Sequence, residues 1–597
     1  MDDLHKLSVT YKRYRDEVVN YLKDNYQALE LEINPKEKYL TSLSVDLTVA
    51  EVEIDLVINI PFNYPDSFPQ IKLSEASFKK VFPIPHLDTN RTLCLFDEVV
   101  ASPNPGNPIG LMEAVLEKAK DTLSKGILKH NLDDFTDEFE SYWLQESEKG
   151  RFLSLVEPVG NIKDVYLVVA SIKEQGNLSV FADSKNDAIQ WIQNIGGSYN
   201  ENAISKVIYV PLKKLLSYPY PKNNKEIYHL LIDNNLCNIN DYFRYLNDSQ
   251  RPAKVLFSSQ LEDSFVWGVW EHQEPSKQNT KLYKGKKITQ RGLKGFRRGS
   301  KNGRLELLRD FSEVEIKKYY VQDVRASRLK KRGGDGELKY QSKRVVIIGC
   351  GALGSHLAQA LFDLGVQDLF LIDPDTLSYE NINRHLCGAD QVGVNKTIAI
   401  KRKLNRHYPT SRIKTFEDDV LSLLNSYPKA LNSYDLVISA ISHIPTELRV
   451  NELQKQGILT SPVLDIWVEP YLTAGHGIWI EPHKSIDLNS VFQNGKFKYQ
   501  VLRNGNQYSK KELGCNTSYV PYGALDLKRF INEVAFFIND QWSQEQSDSL
   551  SLTWLGNLTE SRKQNRRLEP RWVGGKDFSL KFNALKNNNE SVEKYDI

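Results

Sequence analysis

Residues 344–354 read RVVIIGCGALG, an apolar strand running straight into a turn built on Gly349, Gly351 and Gly354. The following SHLAQALFDLG has helical spacing, and DLFLID at 368–373 is a second apolar strand ending on Asp373. Strand, glycine turn, helix, strand is a βαβ unit, and YDLVISA (434–440) and PVLDIW (462–467) extend it with later parallel strands. The pattern predicts a doubly wound α/β sheet in the C-terminal part of the chain. Glycines without side chains let a phosphate approach the backbone at the positive end of the helix. Asp373, about 20 residues on, stands where a ribose hydroxyl is bound. This much suits NAD and ATP equally.

The next stretch separates the two. IDPDTLSYENINRHLCGADQVGVNK supplies Asp375, Asn381, Arg384 and Lys396 in one polar block. Two cations near the glycine turn can neutralise charge developing on a triphosphate, which a dehydrogenase does not need. Over roughly 325–540 the order of these residues resembles the activating-enzyme family of ThiF, MoeB and the ubiquitin-activating enzymes. The resemblance implies a nucleotide-binding fold that takes ATP with Mg2+ and adenylates the C-terminal carboxylate of a protein. It assigns Gly351, Asp373, Asn381, Arg384 and Lys396 to ATP, with Gly349, Gly354 and Asp375 completing the site. Arg325 and Arg328 precede the sheet, where related enzymes send an arginine to the neighbouring protomer's phosphates; this implies a homodimer. In one place the chain departs from the family: Ser442 stands where an aspartate usually helps to hold Mg-ATP. Either Asp435, Asp465 or water then serves the metal, or adenylation is impaired.

The five cysteines are scattered, with no C-x-x-C pair, so neither a zinc site nor a disulfide framework is expected. A thiol can instead capture an acyl-adenylate as a thioester. Cys515 stands in KELGCNTSYVPYG, a polar segment between the last sheet strands and a helix near 524–538; by the resemblance to thioester-forming activating enzymes, which carry their cysteine in such a crossover loop, it is the expected acceptor. Cys350 and Cys387 read as small packing residues, with Cys387 the second choice for the thioester. Near the N-terminus, helical spacing at 10–29 is followed by strands at 39–48, 52–60 and 69–73 and a Pro- and Cys-containing loop at 82–110. INIPFNYPDSFPQIKL followed by PIPHLDTNRTLCLFDEVV resembles the ubiquitin-conjugating fold, an α+β domain over roughly 1–148, with Cys94 as the thioester carrier. His86, eight residues before Cys94, replaces that family's asparagine. It is either a hydrogen-bond donor and proton-transfer group or a loop anchor. Asp97 is positioned to orient or deprotonate an amine.

The chain therefore divides into a conjugating-like domain (1–148), an α/β linker or accessory region (149–323) with a basic segment at 277–304, a ThiF-type adenylation domain (324–575) and a polar tail (576–597). The 78 basic and 76 acidic side chains nearly cancel, giving no reason to expect nucleic acid or a membrane as partner. With no apolar run near ~20 residues and a polar N-terminus, a cytoplasmic protein is expected. The order of domains resembles the activating–conjugating fusions of bacterial anti-phage (CBASS) operons. That resemblance implies a partner with an exposed C-terminus, a cGAS-like nucleotidyltransferase, passed from Cys515 to Cys94 and on to an amine acceptor. Two other readings remain: adenylation for sulfur transfer or peptide modification beside an accessory N-terminal domain, and an N-terminal domain that only binds.

Overall fold

In the helix Asp2–Tyr26 (α1), Val18 and Leu22 are fully buried one turn apart, as the helical spacing predicts. They face a four-stranded antiparallel sheet of β1 (Leu29–Glu30), β2 (Tyr39–Val49), β3 (Val52–Pro61) and β4 (Gln70–Leu73), paired in that order. In β3 the alternate residues Ile54, Leu56, Ile58 and Ile60 are buried, so one sheet face carries the core. Helices α2 (Glu75–Val81), α3 (Pro108–Ile127), α4 (Asp134–Asp137) and α5 (Phe139–Gln145) complete this part. Tyr64, between Pro61 and Pro65, is buried and donates its hydroxyl to the Pro108 carbonyl at the start of α3. In this computed structural model the described residues are 2–32, 39–97, 100–216, 218–236, 238–249, 252–262, 264–273, 312–334, 337, 339–484, 486–493, 496–511, 518–544 and 548–585. Cys237, Cys515 and the basic segment 277–304 lie outside them.

Two compact units emerge, one of Met1–Val169, Asn177–Ala188 and Asn200–Val324, the other of Ala170–Gly176, Ile189–Tyr199 and Arg325–Ile597. The middle region, read as a linker or accessory α/β stretch, is a closed seven-stranded barrel. Its strands are β5 (Phe152–Ser154), β6 (Lys163–Ile172), β7 (Gly176–Ala182), β8 (Ser198–Leu212), β9 (Ala253–Leu261), β10 (Ser264–His272) and β11 (Ile316–Asp323), with helices α6 (Lys185–Asn194), α7 (Asn224–Asp233) and α8 (Ile239–Asp248). Closure pairs β11 with both β5 and β10, which leaves no strand edge unpaired. Helix α5 is anchored on this barrel. Trp143 is fully buried, donates its indole N–H to the Tyr319 carbonyl at 2.9 Å and meets Phe257 edge-on at 5.1 Å. Gly268 makes room for it, since a Cβ there would lie 2.5 Å from Phe257 and 2.8 Å from the Trp143 nitrogen.

The second unit contains α9 (Ala326–Gly333) and the predicted doubly wound sheet: β12 (Arg344–Ile348), α10 (Ala352–Leu364), β13 (Asp368–Ile372), α11 (Lys396–His407), β14 (Arg412–Phe416), α12 (Val420–Ser426), β15 (Leu436–Ser439), α13 (Ile444–Lys455), β16 (Val463–Val468), β17 (Ala474–Ile480), α14 (Ala524–Ser543), β18 (Leu550–Leu555) and β19 (Ser579–Ala584). The order is β14-β13-β12-β15-β16-β17-β18-β19, parallel through β16 and antiparallel beyond. Central strands are buried on both faces. Leu357 and Leu361 pack with Phe530 and Val534 on one side, and Val420, Leu424 and Val450 cover Val346 and Ile348 on the other. Ser579–Ala584 corrects the expected polar tail, because it adds the edge strand β19. All six of its residues are half-buried, which a polar sequence tolerates at a sheet edge.

Candidate functional site

At the end of β12 the chain must turn sharply into α10. Gly349 has φ +88°, and a Cβ on it would press against Ala440 and Ile441 at 2.7–3.0 Å. Gly354 lets the helix sit on the turn, since a Cβ there would come within 1.9 Å of the Gly349 carbonyl. Gly351 differs: it caps α10, and nothing lies within 4 Å of where its Cβ would be. The helix N-terminus therefore faces open space, as a phosphate site requires. Asp373 is buried and accepts from the Cys350 amide at 2.6 Å and the Asp375 amide at 2.8 Å, tying the turn to β13. Each carboxylate oxygen retains capacity for a second donor. Lys396, first residue of α11, reaches Asp375 at 2.7 Å and Asp373 at 4.0 Å.

The block 378–387 closes on the same turn. Asn381 accepts from the Ser378 amide and hydroxyl, both at 3.2 Å, fixing a local loop. Arg384 donates to the Val520 carbonyl at 3.1 Å and lies 4.9 Å from the centre of the Tyr522 ring. His385 was not singled out in the sequence, yet it pins the loop. Its Nε2–H donates to the Cys350 carbonyl at 2.9 Å and its Nδ1 accepts from the Cys387 amide at 3.0 Å. Burial lowers its pKa, which agrees with the neutral tautomer these bonds require. The sequence signal for it was slight, a single histidine inside a polar motif. Cys350 and Cys387 are both buried, and burial raises both thiols, Cys387 to about 12. They fill space and are not nucleophiles. Arg325 is buried as the N-cap residue of α9, and Arg328 is half-buried within that helix.

Asp435 does not serve the glycine turn. It sits just before β15, at the far end of that strand, where it accepts from the Arg344 amide at 2.8 Å and from Lys343 at 3.1 Å. Ser442, at φ +52°, follows the near end of β15. Asp465 is buried in β16.

In the first unit, the eight-residue spacing of His86 and Cys94 has a structural cause. Leu87 and Leu93 bridge antiparallel, and the Cys94 amide donates to the His86 carbonyl at 2.8 Å, so the two residues face each other across a tight hairpin. Cys94 is exposed, as is Asp97. The His86 ring is clamped, with Nδ1 2.9 Å from Glu138 and Nε2 2.9 Å from Asp134. The hydrogen bond to Glu138, with help from Asp134, raises its pKa. With a carboxylate against each ring nitrogen, the arrangement favours a doubly donating ring that braces the loop. Tyr142 joins the same cluster: its hydroxyl accepts from the His86 amide at 2.6 Å and donates to Glu138 at 2.9 Å. Burial, then the Glu138 charge, raise its pKa, and the charge of a Cys94 thiolate adds to the effect. Tyr142 thus keeps its proton beside the thiol.

Residues 324–478 match the ThiF family, and residues 19–152 match prokaryotic E2 family B. A stretch similar to prokaryotic E2 family B is thus followed in one chain by a stretch similar to the ThiF family. This bears out the fusion expected from sequence. The chain is 27% identical over 251 residues to the ATP-dependent ubiquitin transferase-like protein Cap2 of Enterobacter hormaechei subsp. hoffmannii, 40% of each protein. It is 23% identical over 454 residues to the Cap2 of Escherichia coli strain TW11681, 69% of this chain and 71% of that one. The match thus spans well under two thirds of the Enterobacter relative. A crystal structure of E. coli MccB with AMPCPP and selenomethionine MccA matches at 18% identity and a TM-score of 0.30, over 42% of this chain and 66% of that one. Among the described residues, no helix is long and apolar enough to cross a membrane.

Proposed function

We propose that this ThiF–E2 fusion is an ATP-dependent protein-conjugating enzyme. The C-terminal carboxylate of a partner protein attacks the α-phosphorus of ATP at the Gly349–Gly354 turn, and pyrophosphate leaves. The Cys515 thiolate then attacks the acyl-adenylate carbonyl and AMP leaves. Cys94 takes the acyl group by thiol exchange, and an amine displaces Cys94 to form an amide. A cGAS-like nucleotidyltransferase is the partner that the resemblance to CBASS fusions favours, and a homodimer the assembly.

The observation carrying the reading is Arg384. It lies beside His385, which holds the Cys350 carbonyl of the glycine turn, and it grips Val520 and Tyr522, five and seven residues beyond Cys515. One cation thereby links the nucleotide loop to the segment following the proposed nucleophile. Lys396, bridging Asp373 and Asp375, supplies the second cation for the phosphates. Among the described residues no group of three or more His, Cys, Asp or Glu side chains is placed to hold a metal ion. Mg2+ accordingly enters this proposal as a companion of the phosphates, with most of its ligands from them and from water. At the second thiol, the clamped His86 and Tyr142 hold the Cys94 hairpin, and Asp97 is the exposed carboxylate nearest in sequence for an incoming ammonium.

Partner-dependent exchange between ATP and pyrophosphate tests the reading. Arg384→Ala is expected to lower the exchange by 100-fold or more, on the order of the loss of one preorganised charge donor. Exchange at the wild-type rate in that variant would remove Arg384 from the site.

A further inference from the structure

One strand away from the glycine turn, β15 and β16 hold an arrangement that the adenylation chemistry does not use. Asp465 is 2% exposed, and neither of its carboxylate oxygens has a hydrogen-bond partner among the described residues. It pairs in register with Ser439 on β15, and the Ser439 hydroxyl donates to Glu447 of α13 at 3.4 Å. Asp465 and Glu447 line a common cavity of about 120 Å³, with Ser442 beside them. Its remaining lining is apolar: aromatic Trp467 and Phe492, and aliphatic Ile444, Ile478 and Leu488. About 10–15 Å³ suffices for a water, so the space accepts a chain of several heavy atoms.

An unpartnered buried carboxylate is costly unless a ligand satisfies it. The two acids oppose each other's ionisation. Burial, followed by the charge of Glu447, pushes the Asp465 carboxyl well up, while burial raises Glu447 to about 7. One cation between them would reverse this and let both oxygens accept charge-assisted hydrogen bonds. A hydrated divalent ion fits poorly, because it calls for about six oxygen ligands and most of this wall is hydrocarbon. An ammonium or guanidinium on an aliphatic stem fits both parts, with its stem against Ile478 and Leu488 and its charge near the rings and the acids.

We propose that the cavity floored by Asp465 and Glu447 is a specificity pocket for a basic side chain. The cation would belong to the segment that brings a protein's C-terminus to the adjoining nucleotide site; this owner, though not the pocket's chemistry, rests on the proposed reaction. Such a pocket would select partners with a Lys or Arg near the reacting terminus, in register with the glycine turn.

The test uses the full chain labelled with 5-fluorotryptophan, with the Trp467 resonance assigned by Trp467→Phe. The probes are n-butylguanidinium and its uncharged isostere n-butylurea, with no nucleotide or partner present. The expected result is a saturable shift of the Trp467 resonance with n-butylguanidinium, at least tenfold weaker with n-butylurea. Asp465→Asn and Glu447→Gln, which keep side-chain volume, are expected to abolish the response while retaining the wild-type thermal transition. Should either variant unfold, the comparison of the two probes on the wild-type chain decides alone. Equal responses to both probes, undiminished binding in Asp465→Asn, or a Trp467 shift produced by MgCl2 in place of the guanidinium would each overturn the proposal. None of these readouts depends on adenylation, so a dead enzyme with a working pocket is distinguishable from the reverse.

Discussion

His86 shows how neighbouring carboxylates favour one protonation state of a side chain. Glu138 and Asp134 raise its folded pKa above the ordinary ~6.5. The clamp therefore contributes fully below that ordinary value and is lost as pH rises through the raised folded value. Glu138→Gln removes the larger cause and is expected to lower the His86 midpoint, followed by NMR of the imidazole ring against pH. An unchanged midpoint would mean that Glu138 does not set the charge. His86 and Cys94 were legible because their spacing lies within one loop. Glu138, Asp134 and Tyr142 were not, since they come 40 or more residues later and meet the loop only through tertiary packing. His385 escaped notice for the same reason, its partner carbonyl standing 35 residues upstream.

The glycine turn makes a sharper statement about elements, because its glycines have different duties. Gly354→Ala drives a methyl into the Gly349 carbonyl, so α10 must move off the turn. A loss of about 1–3 kcal/mol in denaturant unfolding is expected, together with loss of nucleotide binding. Gly351→Ala meets nothing in the fold and is expected to leave stability within about 0.5 kcal/mol while weakening ATP binding, because its methyl occupies the space in front of the helix N-terminus. Equal stability losses in the two variants, read by chemical denaturation, would contradict this division. Helix α5 offers a third case. Trp143→Ala should destabilise the first unit by about 3–5 kcal/mol, because it empties the contact with Phe257 and Tyr319. The β12–α10–β13 unit could be read directly because strand, turn and helix are contiguous. The barrel could not: its closure joins β5 to β11, more than 150 residues apart, and no local pattern records that pairing. β14 is five residues, RIKTF, with cations at its first and third positions, and β19 is a half-buried edge, so neither stands out from polar loops.

For the whole molecule, the proposed reaction depends on the order in which two thiols carry the acyl group. In the proposed reaction the adenylate forms at the glycine turn and passes first to Cys515 of the same C-terminal stretch, whereas the exposed Cys94, whose amide is held by the His86 carbonyl, would present the acyl group to an amine. Thiol exchange is close to isoenergetic, so direction comes from pyrophosphate release upstream and amide formation downstream. Because the proposed adenylation uses neither thiol, Cys94→Ala and Cys515→Ala should both sustain pyrophosphate exchange. The most direct test loads both variants with ATP and a cGAS-like nucleotidyltransferase bearing a free C-terminus, and follows adducts on non-reducing gels with peptide mapping. Cys94→Ala is predicted to accumulate a thiol-sensitive adduct on Cys515 and yield no amide, and Cys515→Ala to load neither cysteine. Charging of Cys94 at the wild-type rate in Cys515→Ala would contradict the relay and make Cys94 the residue that captures the adenylate.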